Sequence, residues 1–302
     1  MEKRRIDFEV MPHEHGVRLD RLLVSHAPAL GRKRAAELFQ KGLVHVDGRR
    51  AQKGALAVAG QRLCAELPEA ERAIAEANAP LEILLERADV VVVDKPAGQP
   101  SAALRSTDRG TLAGALVARY PEMSDVGFGP REPGLVHRLD TQTSGVLVAA
   151  RTSEAFRRLR DAIETERVDK RYLAIVASDA IDDEGVVDVP LGPHPKNARR
   201  VVVAKSPGAR AARSTYRVLE RFGQLALVEV TASRAYRHQV RAHLAFRGSP
   251  IVGDQLYGGL DVGLGERHAL HASYVACDVA GVTPFAVTAP LPDDLRTLLR
   301  SA

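Results

Sequence analysis

The stretch GLVHRLDTQTSGVLVAA, residues 134–150, constrains the chain most. It ends in a short, continuous apolar run, Gly145 to Ala150, that reads as a buried strand. Directly before it, His137, Arg138 and Asp140 fall within four positions. Polar groups at the entrance to a core must be paired there or put to use. A second apolar run, in DVVVVDKPAG at 89–98, reads as a strand entering a Pro-Gly turn. Further on, RYLAIVA (171–177) and QLALVEVTA (224–232) read as strands. Helical patterns lie among them. SEAFRRLRDAIETERV (153–168) is amphipathic with Thr152 or Ser153 as its cap, and RHQVRAHLAF (237–246) ends at Gly248. PDDLRTLL (292–299) is a terminal helix with Pro292 near its first turn. This irregular mixture predicts an α+β fold rather than a doubly wound one.

With 302 residues, 45% of them hydrophobic and 27% charged, the chain has room for a large domain or two unequal ones. No apolar run approaches the roughly 20 residues that span a bilayer, and the opening MEKRRIDFEV lacks the apolar stretch of a signal peptide. Cys64 and Cys277 have neither metal-ligand nor disulfide-scaffold spacing. A cytoplasmic protein with reduced thiols and no membrane association is expected. Residues 1–67 carry 13 Lys/Arg against 8 Asp/Glu, whereas the remainder carries 30 of each, so the whole net charge of +5 sits in the N-terminal fifth. That asymmetry favours a polyanionic partner, most simply nucleic acid.

The chain divides into a small module at 1–67, an Ala/Glu-rich linker at 68–80 bounded by Pro68 and Pro80 and semi-rigid if helical, and a large domain at 81–302. In the small module Leu19, Leu22 and Leu23 share a helical face. A second helix opens on the basic turn Gly31–Arg34, runs through Ala35, Leu38 and Phe39, and stops near Gly42. LVHVDGRR then alternates into an Asp47-Gly48 hairpin turn. RLDRLL, GRKRAAELFQKGLVHVDG and VAGQRL together resemble the small α/β RNA-binding module named for ribosomal small-subunit protein four. That resemblance implies RNA contacts at Arg32, Lys33, Arg34 and Lys41, which would position the protein without reading sequence.

Asp140 is open to several readings from its neighbours alone. An aspartyl phosphatase would place a second aspartate two positions on, where Gln142 stands. A glycoside hydrolase needs a partner carboxylate, and the nearest downstream acid, Glu154, falls on the predicted helix. His137 and Asp140 are too few for a zinc site, and His-Glu-His at 13–15 lies in an exposed N-terminal stretch. His-Arg-Leu-Asp is equally the pattern of a structural ion pair at a strand start.

Across residues 82–299 the chain resembles the RluA-type pseudouridine synthases, through VVVVDKPAGQPS, GLVHRLDTQTSGVLVAA, VDKRYLAIV, RHQVRAHLAFRGSPIVGDQLYGG, ALHA and APLPDDL in that order. The resemblance implies a mixed or antiparallel sheet with flanking helices. It implies an isomerase that detaches uracil from its ribose within RNA, turns it and rejoins it through carbon, with no metal and no cofactor. Asp140 matches the family's essential aspartate, Arg241 the arginine that pairs with it, and Tyr172 the tyrosine that packs on the target uracil and can assist removal of the carbon-5 proton. A buried carboxylate loses its charge without a neighbouring cation, so that pairing is physically required. Reaching a base within folded RNA requires extruding the nucleotide. Arg138 matches the residue that fills the space left by the extruded base. His137, His238 and Gln239 are carried over as substrate-side or supporting residues.

Two acid-free runs suit an RNA groove: 189–219, with Lys196, Arg199, Arg200, Lys205, Arg210, Arg213 and Arg217, and 230–253, with Arg234, Arg237, Arg241 and Arg247. The chain departs from the family at TASRAYRHQ, where the usual Thr-Gly-Arg, one residue, then His-Gln is respaced, and after DKPAG, where QPSA replaces His-Pro. Arg234 and Arg237 thereby lose a defined role. The expected activity is an RNA pseudouridine synthase, acting as a monomer on large-subunit ribosomal RNA. The alternatives are transfer RNA as substrate, or a non-catalytic RNA-binding or ribosome-assembly factor.

Overall fold

The structure, a computed structural model, describes residues 5–67, 72–105, 107–204 and 208–302, with only the backbone of residues 29, 33 and 180. The chain separates into two compact units, Met1–Ala70 and Glu71–Ala302. In the smaller unit, strand β1 (Arg5–Glu9) is followed by helices α1 (Leu19–His26) and α2 (Gly31–Gln40), then strands β2 (Val44–Val46), β3 (Arg49–Arg50) and β4 (Arg62–Glu66). The strands form an antiparallel sheet in the order β1-β4-β2-β3. Asp47 and Gly48, both at positive φ, turn β2 into β3 as their sequence required. Leu19, Leu22 and Leu23 of α1 pack with Leu38 and Phe39 of α2 against Val44, Leu63 and Ala65.

The larger unit opens with β5 (Glu82–Glu86), β6 (Val90–Lys95) and helix α3 (Leu112–Arg119). Next come β7 (Ser144–Ala150), α4 (Ser153–Glu164), β8 (Val168–Ala177), β9 (Glu184–Asp188), β10 (Leu191–Pro193), β11 (Val201–Val203), β12 (Arg213–Phe222) and β13 (Leu225–Thr231). Helix α5 (Gln239–Phe246), β14 (Leu270–Cys277), β15 (Phe285–Thr288) and α6 (Asp293–Arg300) complete it. Among the described residues a nine-stranded mixed sheet runs β5-β6-β7-β14-β8-β13-β12-β9, with β15 also on β14. Its parallel pair is β7 with β14, where His271 faces Ser144 and Ala272 faces Gly145. β10 and β11 form a separate hairpin within the first acid-free run.

The apolar runs are continuous because both faces of this part of the sheet are covered. Val91, Val93, Leu147 and Ala149 join a core that includes Leu112 and Leu116 of α3. Val90, Val92, Val146 and Val148 face the other way, onto Phe156, Leu159 and Ile163 of α4. The Thr152 hydroxyl accepts from Ala155 N and caps α4. Of the expected linker, residues 68–71 lie outside the described residues. Residues 72–80 are not helical and bond into the larger unit: Ala73 N donates to Pro130 O, and Glu76 Oε2 accepts from Gly110 N.

Candidate active site

The segment entering β7 is fixed from several sides. Ser101 Oγ donates to Leu139 O at 2.8 Å, Gly98 N donates to Thr141 O at 2.8 Å, and Thr143 N closes a turn on Asp140 O. Lys95, at the end of β6 and fully buried, gives its ammonium to Pro96 O, Gln99 O and Thr141 O. All three donors are thereby used. Burial pushes this lysine down to about 7, opposed by the charge of Asp140. Beyond the turn, Thr143 Oγ1 meets His268 Nε2 at 2.8 Å and Ser144 Oγ meets His271 Nδ1 at 2.9 Å. The parallel pairing of β7 with β14 makes both contacts possible.

Asp140 projects from this turn into an open cleft of about 1760 Å³. Small-molecule sites run to roughly 300–1,000 Å³, so the cleft suits a polymer. Arg241, on the first turns of α5, places Nη1 2.8 Å from Asp140 Oδ2. Its other edge is held by Asp254, Nε to Oδ2 at 2.7 Å and Nη2 to Oδ1 at 2.8 Å. The guanidinium also lies over the Tyr257 ring, 5.1 Å from its centroid. Burial works against Asp140's charge, but His238 where it is protonated, the Arg241 charge and hydrogen bond, and His268 where it is protonated outweigh it and hold the carboxyl below its usual range. His238 is itself pushed down to about 4, first by burial, so at neutral pH Arg241 is the standing cation. A charged, oriented carboxylate in an open cleft is able to act as nucleophile or base.

His238 takes a left-handed conformation (φ 57°) just before α5, so Arg237 and His238 belong to the turn rather than to the expected helix. Its Nε2 lies 3.6 Å from Asp140 Oδ1 and its Nδ1 meets Tyr257 Oη at 3.1 Å. Tyr257 Oη in turn bonds both backbone groups of Val201, tying the β10–β11 hairpin to the site. Arg237 adds two bonds, to Ala198 O and Arg199 O. Arg138 lines the cleft half-exposed, with Nη1 2.7 Å from Glu132 Oε1. Arg234 also lines it, while its carbonyl accepts from Lys170 Nζ.

Three expectations are corrected or narrowed. Gln239 does not face substrate: its amide donates to Arg213 O and Ser214 Oγ and accepts from Tyr236 N, deep in the core. Gln239 and Arg241 are two apart on a helix, which puts them on different sides. His137 ties its loop to the strand that follows, its Nε2 accepting from Val148 N of β7, and burial pushes its pKa down to about 3. Tyr172 packs in the core, 5% exposed, and does not line the cleft. Burial and then the Asp140 charge drive its phenol above the ordinary tyrosine range, which disfavours a phenolate base. Arg32, Arg34 and Lys41 stand exposed on and just after α2, and the Lys33 side chain lies outside the described residues. Asp254, Tyr257, His268 and Lys95 were not singled out from sequence, although Asp254 and Tyr257 sit in the quoted PIVGDQLYGG. Among the described residues, no three His, Cys, Asp or Glu side chains gather as a metal set.

The family model described as RNA pseudouridylate synthase matches residues 89–246. An uncharacterized RNA pseudouridine synthase of Chloroflexus aurantiacus is 39% identical over 299 residues, 96% of this chain and 92% of that protein. Ribosomal large subunit pseudouridine synthase D of Xanthomonas campestris is 35% identical over 94% of this chain and 88% of its own. The solved human RNA pseudouridylate synthase domain containing 1 shares the fold, with a TM-score of 0.56 and 24% identity over 74% of this chain and 96% of that one. The match of the family model over more than half the chain, containing both Asp140 and Arg241, and the near full-length relatives establish that the chain belongs to the RNA pseudouridylate synthase family.

Proposed function

We propose that this protein isomerises uridine to pseudouridine in large-subunit ribosomal RNA, with Asp140 as the catalytic carboxylate. The observation that carries this reading is the charged Asp140–Arg241 pair at 2.8 Å in a cleft of polymer size. In the reaction the bond from uracil N1 to ribose C1′ breaks, a bond from C5 to C1′ forms, C5 loses its proton and N1 gains one. Asp140 must be ionised whether it attacks or takes up a proton, and Arg241 keeps it so at neutral pH. Arg138 is suited to the space an extruded base leaves, because a guanidinium both stacks and bonds phosphate. The relatives named large subunit synthase D favour ribosomal RNA as substrate.

The smaller unit is proposed as the RNA-binding module of the ribosomal-protein-four type. Arg32 and Arg34 stand in the first turn of α2, where the helix dipole disfavours cations and the turn itself carries no acid. A phosphate at that end is favoured by the same dipole. Pseudouridine mapping on RNA from cells with the protein, without it, and with Asp140→Asn tests the function. Sites in large-subunit ribosomal RNA should vanish on deletion and not return with the variant. Loss in transfer RNA alone would reassign the substrate. Persistence of every site, with no modification of either RNA by purified protein, would overturn the reading.

A further inference from the structure

One feature of the cleft has no part in the chemistry above. Phe128 lines it while 66% exposed, and Leu104, also lining it, is 80% exposed. The Phe128 ring is held from behind. It meets Phe156 of α4 edge-on at 5.0 Å, and the Arg160 guanidinium lies over one face, 4.8 Å from the centroid. The rest of the ring is therefore open to solvent. Arg160 also donates to Val136 O at 2.8 Å, which couples the backing of the ring to the segment carrying Arg138 and Asp140.

The loop that displays Phe128 is closed rather than loose. Gly134 N donates to Val126 O at 2.7 Å and Glu132 N to Gly129 O at 2.9 Å. Arg131, next on the same loop, donates to Leu104 O, so the two exposed apolar residues sit on connected loops at one lip of the cleft. A rigid aromatic face beside guanidinium groups, continuous with a cleft that takes a polyanion, matches the chemistry of a nucleobase. Bases stack on aromatic faces irrespective of sequence, whereas neighbouring cations follow the backbone.

We propose that Phe128, backed by Arg160, is a stacking platform for an unpaired RNA base adjacent to the uridine being turned out. The proposal rests on the functional reading above and adds to it a residue, Phe128, that holds the base beside the target once that base is free to unstack. The exposed ring contributes little to folding, so its substitution leaves the protein intact.

The test is fluorescence anisotropy of full-length protein with a labelled RNA stem–loop and with a fully paired duplex lacking the loop. Phe128→Ala should weaken stem–loop binding by about 5- to 150-fold, the range a single base–aromatic stack supplies, and leave duplex binding unchanged. Phe128→Trp should restore the affinity and Phe128→Leu should not. Unchanged stem–loop binding by Phe128→Ala, equal weakening on both RNAs, or full restoration by leucine overturns the platform. Pseudouridine formation by the wild-type protein on ribosomal RNA is assayed separately. Absence of product with the stacking pattern intact would refute the function and leave the platform standing; product without the pattern would do the reverse.

Discussion

Asp254 grips Arg241 through two parallel hydrogen bonds of 2.7 and 2.8 Å, and this aims the remaining nitrogen, Nη1, at Asp140. The arginine is therefore oriented before substrate arrives. Buried on one side and stacked on Tyr257, it has little freedom to turn elsewhere. Asp254 raises the guanidinium's affinity for its proton against the pull of burial, so the site's standing cation is secure.

From that grip follows the first prediction. Asp254→Asn keeps the shape but weakens the hold, and misplacement of a catalytic pair by about 1 Å costs on the order of 100-fold in rate. Turnover on RNA should fall by about 10- to 100-fold with little change in KM, since Asp254 acts through Arg241 rather than on RNA. Asp254→Ala leaves the buried Nε and Nη2 of Arg241 without acceptors while Asp140 still faces Nη1, and should lose about 1–3 kcal/mol in urea unfolding. A folded Asp254→Asn enzyme with wild-type kcat would refute the positioning role.

Gly145 supplies the second. It sits at φ 111° in β7, where a Cβ would come within 2.1 Å of Ala272 O on the paired strand β14. The obstruction is backbone, so nothing can swing aside, and the φ itself excludes ordinary side chains. Gly145→Ala should cost at least about 3 kcal/mol and loosen the adjoining Ser144–His271 contact. Gly54, with open space where its Cβ would stand and no positive φ, is the control. Urea midpoints that are equal for Gly145→Ala and Gly54→Ala would refute the close-approach argument.

Much of this was legible in sequence, and the exceptions have physical causes. The runs at Val90–Val93 and Gly145–Ala150 announced central strands because helices cover both faces, and Thr152 announced the start of α4. Helix α3 escaped notice because LAGALVAR is buried over most of its first turns and shows no polar face to give a period. Strands β9 to β12 are short or exposed and carry little alternation. Asp140 and Arg241, 101 positions apart, were paired through family resemblance, not spacing. Asp254 and His268 depend on loops that converge only once β14 lies beside β7, a pairing no local pattern encodes. Gln239 was misassigned because adjacency in sequence to His238 says nothing about which side of α5 it faces.

A third prediction concerns acid. His271 donates from Nε2 to Ala289 O, so its Nδ1 accepts the Ser144 hydroxyl proton, and a second ring proton would reverse that bond and put a buried cation beside the Arg267 guanidinium, which already donates to Ser144 Oγ. Burial pushes both His271 and His268 down to about 4. Unfolded, each titrates near 6.5, so between about pH 6.5 and 4 the unfolded chain binds protons that the folded chain refuses. Stability therefore falls as pH drops through that window, by up to about 3 kcal/mol per histidine. Asp94, raised to about 6 by burial and by Glu82, opposes this by one proton. Urea unfolding should show a clear loss from pH 7 to pH 5, reduced in His271→Asn; equal stability at the two values would contradict it.

The fourth prediction separates positioning by charge from chemistry. Arg32 and Arg34 are exposed at the start of α2, remote in sequence from Asp140, and the proposed role gives each a phosphate to neutralise. Each phosphate contact contributes about one unit to the slope of log affinity against log salt. Arg32→Ala and Arg34→Ala should each lower that slope by roughly one and weaken binding to ribosomal RNA fragments, whatever their sequence. At saturating RNA and low salt the turnover of both variants should remain near wild type, because Asp140 and Arg241 are untouched. A slope unchanged in the double variant would show that α2 does not meet the RNA backbone. A turnover that fell with the slope unaltered would mean these arginines act on the catalytic unit in some other way.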